Sequence, residues 1–267
     1  MEKIAPLLRW AGSKRQLVSR LSCFWDDSFE RYVEPFLGSG CLFFHLQPRR
    51  ALLGDLNGEL IQTYQQVKNR PEEVSRALRR MPLGPRSFYR VRRLQPAALN
   101  RVQRAARFIY LNRFCFNGLY RTNLQGEFNV PYGGAKSGGL PSQGALLEAS
   151  KLLHRASLKP VDFESLLRRV TSGDFVYMDP PFSVRKYRVF KEYDRSVFDH
   201  NDVVRLRRTM ESLADSKISF VVSYLESDEA DFLCRGFKVS PVTVRRNISG
   251  FLRSRASCRE LLISYGP

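Results

Sequence analysis

An aspartate, two prolines and an aromatic, Asp179-Pro180-Pro181-Phe182, follow directly on the apolar run Asp174-Phe-Val-Tyr-Met178. The run reads as a buried strand, and a carboxylate at the carboxyl end of a parallel strand faces the ligand crevice. The prolines Pro180 and Pro181 remove backbone donors and stiffen the chain, which holds carbonyl acceptors and a ring in place. Such a set suits a planar base bearing an exocyclic amine. Asp179 and the Pro180 carbonyl would accept its two N–H bonds while Phe182 stacks on the ring. The plain structural alternative is a proline-rich turn at a strand end.

A second group lies upstream. Phe36-Leu-Gly38-Ser-Gly40 follows the apolar stretch Arg31–Phe36 and precedes another, Cys41–Leu46. Glycine suits a tight turn that a ligand approaches closely, so Phe36, Gly38 and Gly40 are candidate cofactor contacts. Asp55 ends the next short strand, 15 residues after Gly40, where it can accept hydrogen bonds from a ribose diol. A lone G-x-G is as often a structural turn. Strand, G-x-G, helix, strand and acid in that order point to an adenosine-containing cofactor.

Other chemistries find no residues. The five cysteines (Cys23, Cys41, Cys115, Cys234, Cys258) are scattered without a C-x-x-C pair, and His45, His154 and His200 are far apart. Neither a disulfide framework, a metal site nor the zinc-deaminase signature fits, so carboxylates, backbone groups or a small-molecule cofactor must act. No Pro-Cys occurs, which excludes the nucleophile of cytosine-C5 methylation.

The elements that position these residues are those of an α/β chain. Arg31–Phe36, Ala51–Asp55, Asp174–Asp179 and Ile218–Tyr224 read as strands, with helices over 41–46, 201–214 and 227–234. Phe237–Arg246 and Glu260–Tyr265 read as a closing antiparallel pair around a basic loop. From 59 to 154 the pattern is helical and rich in arginine, then glycine-, proline- and asparagine-rich from Asn117 to Gly144. We read it as a mainly helical insertion carried by a discontinuous domain, 1–58 and 155–267.

Charge points to the partner. Of 267 residues, 44 are Lys or Arg against 26 Asp or Glu, a net +18, and 34 of the cations are arginine. Residues 68–121 alone carry net +12. Clustered guanidinium groups favour a phosphate-rich partner, whereas an arginine-biased genome explains the Arg:Lys ratio better than the clustering. With 43% hydrophobic and 12% aromatic residues the chain has material for a large core, which excludes intrinsic disorder. No apolar stretch is long enough for a membrane span and the first residues lack a signal core, so a cytoplasmic protein is expected.

The motifs together resemble the Dam-type adenine-N6 DNA methyltransferases, of the α motif order, almost end to end. The resemblance rests on Leu8-Arg-Trp10-Ala-Gly-Ser-Lys14, Glu34-Pro-Phe-Leu-Gly-Ser-Gly40, Gly54-Asp55-Leu-Asn57 and Tyr110–Arg121. Gly126-Glu-Phe-Asn-Val-Pro131-Tyr-Gly133, Asp179–Phe182 and the tail with Arg245-Arg246 and Glu260-Leu-Leu262 complete it. It implies a Rossmann-like methyltransferase sheet with an inserted target-recognition domain, S-adenosyl-L-methionine as methyl donor, no metal, and double-stranded DNA as partner. No obligate protein partner is evident. Trp10 and Lys14 would help enclose the cofactor, Asp55 would hold its ribose, and Asp179 would sit at both cofactor and target amine.

In the insertion Arg121 matches the family's guanine-reading arginine. Phe116 would wedge into the stack vacated by a flipped base, with Asn117 beside the orphaned partner. Leu119 and Pro131 would pack on a thymine methyl, and Arg9 would lie near the edge of the recognised site. Three positions depart from the family pattern. Phe182 stands where Tyr is usual, Ser13 where Gly is common, and Gly134-Ala135 replace a basic residue and an aromatic after Tyr132-Gly133.

The expected activity is therefore adenine-N6 methylation of duplex DNA at GATC or a close variant. Adenine-N6 methylation of ribosomal RNA, cytosine-N4 methylation, and a non-catalytic DNA-binding protein retaining the fold are the alternatives.

Overall fold

The computed structural model describes residues 4–123, 125–182, 198–245 and 257–266. After a one-turn helix α1 (Val18–Leu21), strands and helices alternate: β1 (Arg31–Glu34), α2 (Cys41–Leu46) and β2 (Ala51–Gly54). Five helices follow, α3 (Gly58–Asn69), α4 (Pro71–Arg79), α5 (Pro85–Arg93), α6 (Arg101–Phe114) and α7 (Gln143–Leu153). The chain then returns through β3 (Ala156–Lys159), α8 (Phe163–Leu167), β4 (Asp174–Met178), α9 (His200–Asp215) and β5 (Ser219–Leu225). It closes with α10 (Asp228–Cys234), β6 (Lys238–Arg245) and β7 (Ser257–Tyr265).

The strands form one sheet in the order β3-β2-β1-β4-β5-β7-β6. The first five are parallel, and β7 runs antiparallel between β5 and β6. This is the Rossmann-like methyltransferase sheet expected from the sequence. Every residue of β2 and β4 is buried, as a parallel sheet covered on both faces requires. Successive side chains therefore divide between two cores. Tyr32, Leu53, Phe175 and Tyr177 enter one, while Val33, Leu52, Val176 and Met178 enter the other with Leu206 and Met210 of α9.

The first core runs on without interruption through Ile61 and Tyr64 of α3, Leu146 and Ala149 of α7, and Ile109 of α6 to Val74, Leu78 and Phe88. Residues 59–154 thus share their apolar interior with the sheet. Each long helix starts where its cap dictates. Asn57 accepts from Leu60 N ahead of α3, and Asn100 with Gln103 forms a reciprocal capping box on α6.

Three elements have no counterpart in the sequence analysis, α1, β3 and α8. Each is only four or five residues long and lacks the unbroken apolar run that marks β2 and β4. The closing pair is present as β6 and β7, with Val239 opposite Ile263. Arg246 and the basic loop lie outside the described residues. One bridge joins Thr122 to Phe128 inside the stretch expected as loop, and another joins Cys115, just before it, to Tyr132, so the chain doubles back there as a narrow hairpin.

Sheet order reverses between β1 and β4, whose neighbours lie on opposite sides. At such a switch point the carboxyl ends of the strands open a crevice. The segments after β1, β2 and β4 all emerge there.

Candidate active site

A cavity of about 910 Å3 opens at that edge. Its wall contains Trp10, Lys14, Phe36, Gly38, Asp55 and all four residues Asp179–Phe182. Gly40 is not on the wall: it precedes α2 with φ of 60°, and a side chain there would meet Leu37 and Phe44. Arg9, Phe116, Asn117, Leu119, Arg121 and Pro131 also lie off the cavity wall.

Asp179 follows β4 directly and is held by two groups from distant parts of the chain. Lys14 Nζ is 2.8 Å from Oδ1, and Ser223 Oγ of β5 donates to the same oxygen at 2.9 Å. Tyr177 OH lies 3.2 Å from Ser223 Oγ. A hydroxyl has one proton, so with Ser223 donating to Asp179, Tyr177 donates to Ser223. Among the described residues Oδ2 receives no hydrogen bond. One carboxylate oxygen is thus anchored, and the other keeps its acceptor capacity.

Lys14 is 4% exposed, whereas Asp179 is 20% exposed. Burial pulls the Lys14 pKa down, but the carboxylates of Asp179 and Glu260 outweigh it and hold the ammonium above its ordinary value. The same ammonium lies 4.9 Å from the centre of the Phe182 ring, within cation–π range. Phe182 meets Tyr224 edge-on at 5.5 Å. Its missing hydroxyl leaves the ring supported by charge and packing.

The glycine turn is shaped by Trp10. Gly38 has φ of 47°, and a Cβ there would lie 2.8 Å from Trp10 Cδ1. Its N–H donates to Asp55 Oδ2 at 3.0 Å, and Asn57 N–H donates to Oδ1 at 2.9 Å. Tyr64 OH donates to the Gly38 carbonyl at 3.1 Å. Burial raises the Asp55 pKa against the opposing pull of the two N–H groups. Each oxygen retains a lone pair, so the carboxylate can still accept from a diol.

Beside Asp55 the wall is aromatic. Phe36 stacks on Phe163 with centroids 5.3 Å apart, and Phe198 meets Phe36 at 6.1 Å. Asp162 and Arg205 close this side, joined by a 2.6 Å ion pair, with the Arg205 guanidinium 4.7 Å from the Phe163 ring centre. Sequence reasoning missed Asp162 and Phe163. The available signal was an acid and an aromatic just after a strand end, but no apolar run announces β3 itself.

Glu34, at the end of β1, also lines the cavity and is 2% exposed. Burial drives its pKa well up, Tyr32 OH donates to Oε2 at 2.9 Å in opposition, and the charges of Asp179 and Asp55 raise it further.

The remaining candidates lie off this wall, although Tyr120, Thr122 and Gly126 of the same hairpin line it. Arg9 N–H donates to Asn112 Oδ1 at 2.8 Å, which ties the segment before Trp10 to α6. Asn117 adopts φ of 53° in the tight turn after α6, and Phe116 and Leu119 are half-buried against the first core. Arg121 Nε donates to Asn129 Oδ1 at 2.7 Å across the hairpin. Among the described residues neither Nη of Arg121 donates to the protein. Pro131 is exposed at the hairpin end.

Among the described residues no group of three or more His, Cys, Asp or Glu is placed to hold a metal ion. None of the described helices is long and apolar enough to cross a membrane.

Residues 10–248 match the model of the D12 class N6 adenine-specific DNA methyltransferases. A type II methyltransferase of Lactococcus lactis subsp. cremoris is 33% identical, over 98% of this chain and 96% of its own. A type II methyltransferase of Methanocaldococcus jannaschii is 30% identical, over 98% of this chain and all of its own. The DNA adenine methylase of Escherichia coli K12 is also 30% identical, over all of this chain and 97% of its own. An anchored acid, its proline pair and a glycine turn thus meet in one cavity within a chain that matches these enzymes end to end, and the chain belongs to the D12 class of N6 adenine-specific DNA methyltransferases.

Proposed function

We propose that the protein transfers a methyl group from S-adenosyl-L-methionine to N6 of an adenine flipped out of duplex DNA, at GATC or a close variant. The observation that carries this reading is the Asp179 carboxylate on the cavity wall, one oxygen anchored by Lys14 and Ser223 and the other open.

The residues present fit the donor. Asp55 keeps acceptor capacity for a ribose diol, the Phe36, Phe163 and Phe198 rings offer an apolar side for an adenine, and Trp10 covers the Gly38 turn. When bound, the sulfonium supplies an electrophilic methyl group.

What this chain contributes is positioning and electrostatics. The N6 lone pair of adenine is delocalised into the ring and is a poor nucleophile. Asp179 Oδ2 and the Pro180 carbonyl accept its two N–H bonds, which favours a tetrahedral nitrogen with a localised lone pair. Phe182 stacks on the purine and Pro181 stiffens the turn that presents it. Lys14 and Ser223 hold one Asp179 oxygen, so the other faces the reacting nitrogen and offsets the positive charge that develops there. The base reaches the cavity only out of the stack.

In this reading residues 59–154 are the target-recognition insertion. Arg121 reads guanine through its Nη fork, and Leu119 and Pro131 meet a thymine methyl. Phe116 and Asn117 occupy the gap left by the flipped base, and Arg9 contacts the edge of the site.

Base-resolved mapping of methylated adenine in DNA from cells expressing the protein tests this. Methyl-adenine confined to one short sequence is the expected result. Unmodified DNA, or modification at cytosine N4, would overturn it.

A further inference from the structure

Tyr120 forms a partition between two cavities. On one side is the cavity that holds Asp179. On the other is a second cavity, of about 680 Å3, bordered by Arg92, Arg107, Phe108 and Asn129, and Tyr120 lines both. Its ring stacks on Trp10 with centroids 6.1 Å apart and planes 17° from parallel. On its other flank it stacks on Phe108 of α6 at 5.2 Å and meets Phe128 of the returning hairpin arm at 5.8 Å.

The contacts continue inward. The Trp10 indole lies against Gly38, whose N–H donates to Asp55. The backbone around Arg9 is clamped by Asn112, and Gly118 packs so closely on it that a Cβ would come within 2.5 Å of Arg9 Cβ. Segment 9–14 is therefore held between the hairpin root and the glycine turn, and it ends in Lys14 on Asp179.

Tyr120 stands between Leu119 and Arg121 in sequence, and it lines the cavity wall where its two neighbours do not. Phe108 and Trp10 both stack on the ring, so a shift of the hairpin would press on the indole.

We infer that Tyr120 is a positioning residue that couples engagement of the target sequence by the hairpin to the holding of cofactor beneath Trp10. The inference rests on the function proposed above and adds a residue and a linkage to it. Linkage is reciprocal: a duplex that tightens cofactor binding is itself bound more tightly when cofactor is present.

The test is calorimetric binding of S-adenosylhomocysteine to the full chain, with and without a duplex carrying the mapped site. In the wild type the duplex should tighten binding about tenfold, within the usual range of such couplings. Tyr120→Leu should reduce that factor to about twofold or less while still binding the duplex, and Tyr120→Phe should retain it. A side chain that only fills space would lower the melting temperature of Tyr120→Leu and leave the factor unchanged, which would overturn the inference. In the wild type, amide exchange of residues 9–12 should also slow on adding duplex alone, and unchanged exchange counts against the coupling whether or not the variants fold. Absence of any S-adenosylhomocysteine binding by the wild type would instead sink the cofactor reading, and this inference with it.

Discussion

Lys14 and Asp179 are 165 positions apart in sequence, yet Lys14 Nζ lies 2.8 Å from Asp179 Oδ1 with the lysine 4% exposed. The pair joins the N-terminal segment to the end of β4 on the wall of the cavity. Lys14 sets a cation against the Asp179 carboxylate at Oδ1 without occupying Oδ2.

Removing one member of a buried pair strands the other, at a cost of about 3 kcal/mol when one partner still reaches solvent. Lys14→Met should therefore lower stability by about that amount, and Lys14→Met with Asp179→Leu should recover part of it, read by denaturant titration. Asp179→Ala should reduce methyl transfer about a thousandfold, while S-adenosylhomocysteine and duplex are still bound. Transfer within tenfold of wild type would remove Asp179 from the mechanism.

Gly38 combines φ of 47° with an indole 2.8 Å from where a Cβ would stand. Gly38→Ala should cost about 2 kcal/mol, part from the backbone and part from the clash. In a Trp10→Ala background the clash is gone, so the same substitution should cost about 1 kcal/mol. Equal costs in the two backgrounds would show that Trp10 does not set the requirement for glycine.

Glu34 provides the pH dependence. Burial raises its folded pKa well above the ordinary glutamate value of 4.5, so at intermediate pH the folded state binds more protons than the unfolded one. The resulting stability is fully present below about pH 4.5 and is lost as pH rises through the folded pKa. Glu34→Gln keeps an acceptor for Tyr32 and cannot ionise. The melting temperature of the wild type relative to this variant should fall as pH rises from 4.5, measured without ligand. A flat difference across pH would mean that Glu34 is solvated.

Arg121 is braced through Nε by Asn129, and among the described residues its Nη fork donates to no protein group. Arg121→Ala should relax discrimination at one guanine by about 1–3 kcal/mol. Methylation maps would then spread to sites differing at that base. Asn129→Ala should produce a weaker version of the same spread, because the fork loses its brace. A uniform fall in methylation at all sites would make Arg121 a phosphate contact.

Much of the site was legible in the sequence because each part sits beside a strand end, and strand ends carry their own signals. Asp179 follows five buried residues, Asp55 follows four, and Phe36–Gly40 bridges a strand and a helix. The order of these units also implied the parallel sheet. Asp162 and Phe163 were not legible, since only two of the four residues of β3 are buried, against all four of β2, and no apolar run announces the strand. Ser223 was hidden for another reason: inside the apolar run of β5 a lone serine looks like a core residue until its partner is known.

What the sequence alone determined is the set of local units: the strands other than β3, the glycine turn, the acid with its prolines and the arginine-rich helical stretch. All are encoded by neighbours within a few residues, through periodicity, backbone restriction and charge. Only the tertiary structure decided that Lys14 meets Asp179, that Ser223 relays Tyr177 to the same carboxylate, and that Trp10 lies between Gly38 and Tyr120. Those contacts join segments separated by tens to more than a hundred residues. They exist because the strand order reverses between β1 and β4, which brings their carboxyl ends to one edge.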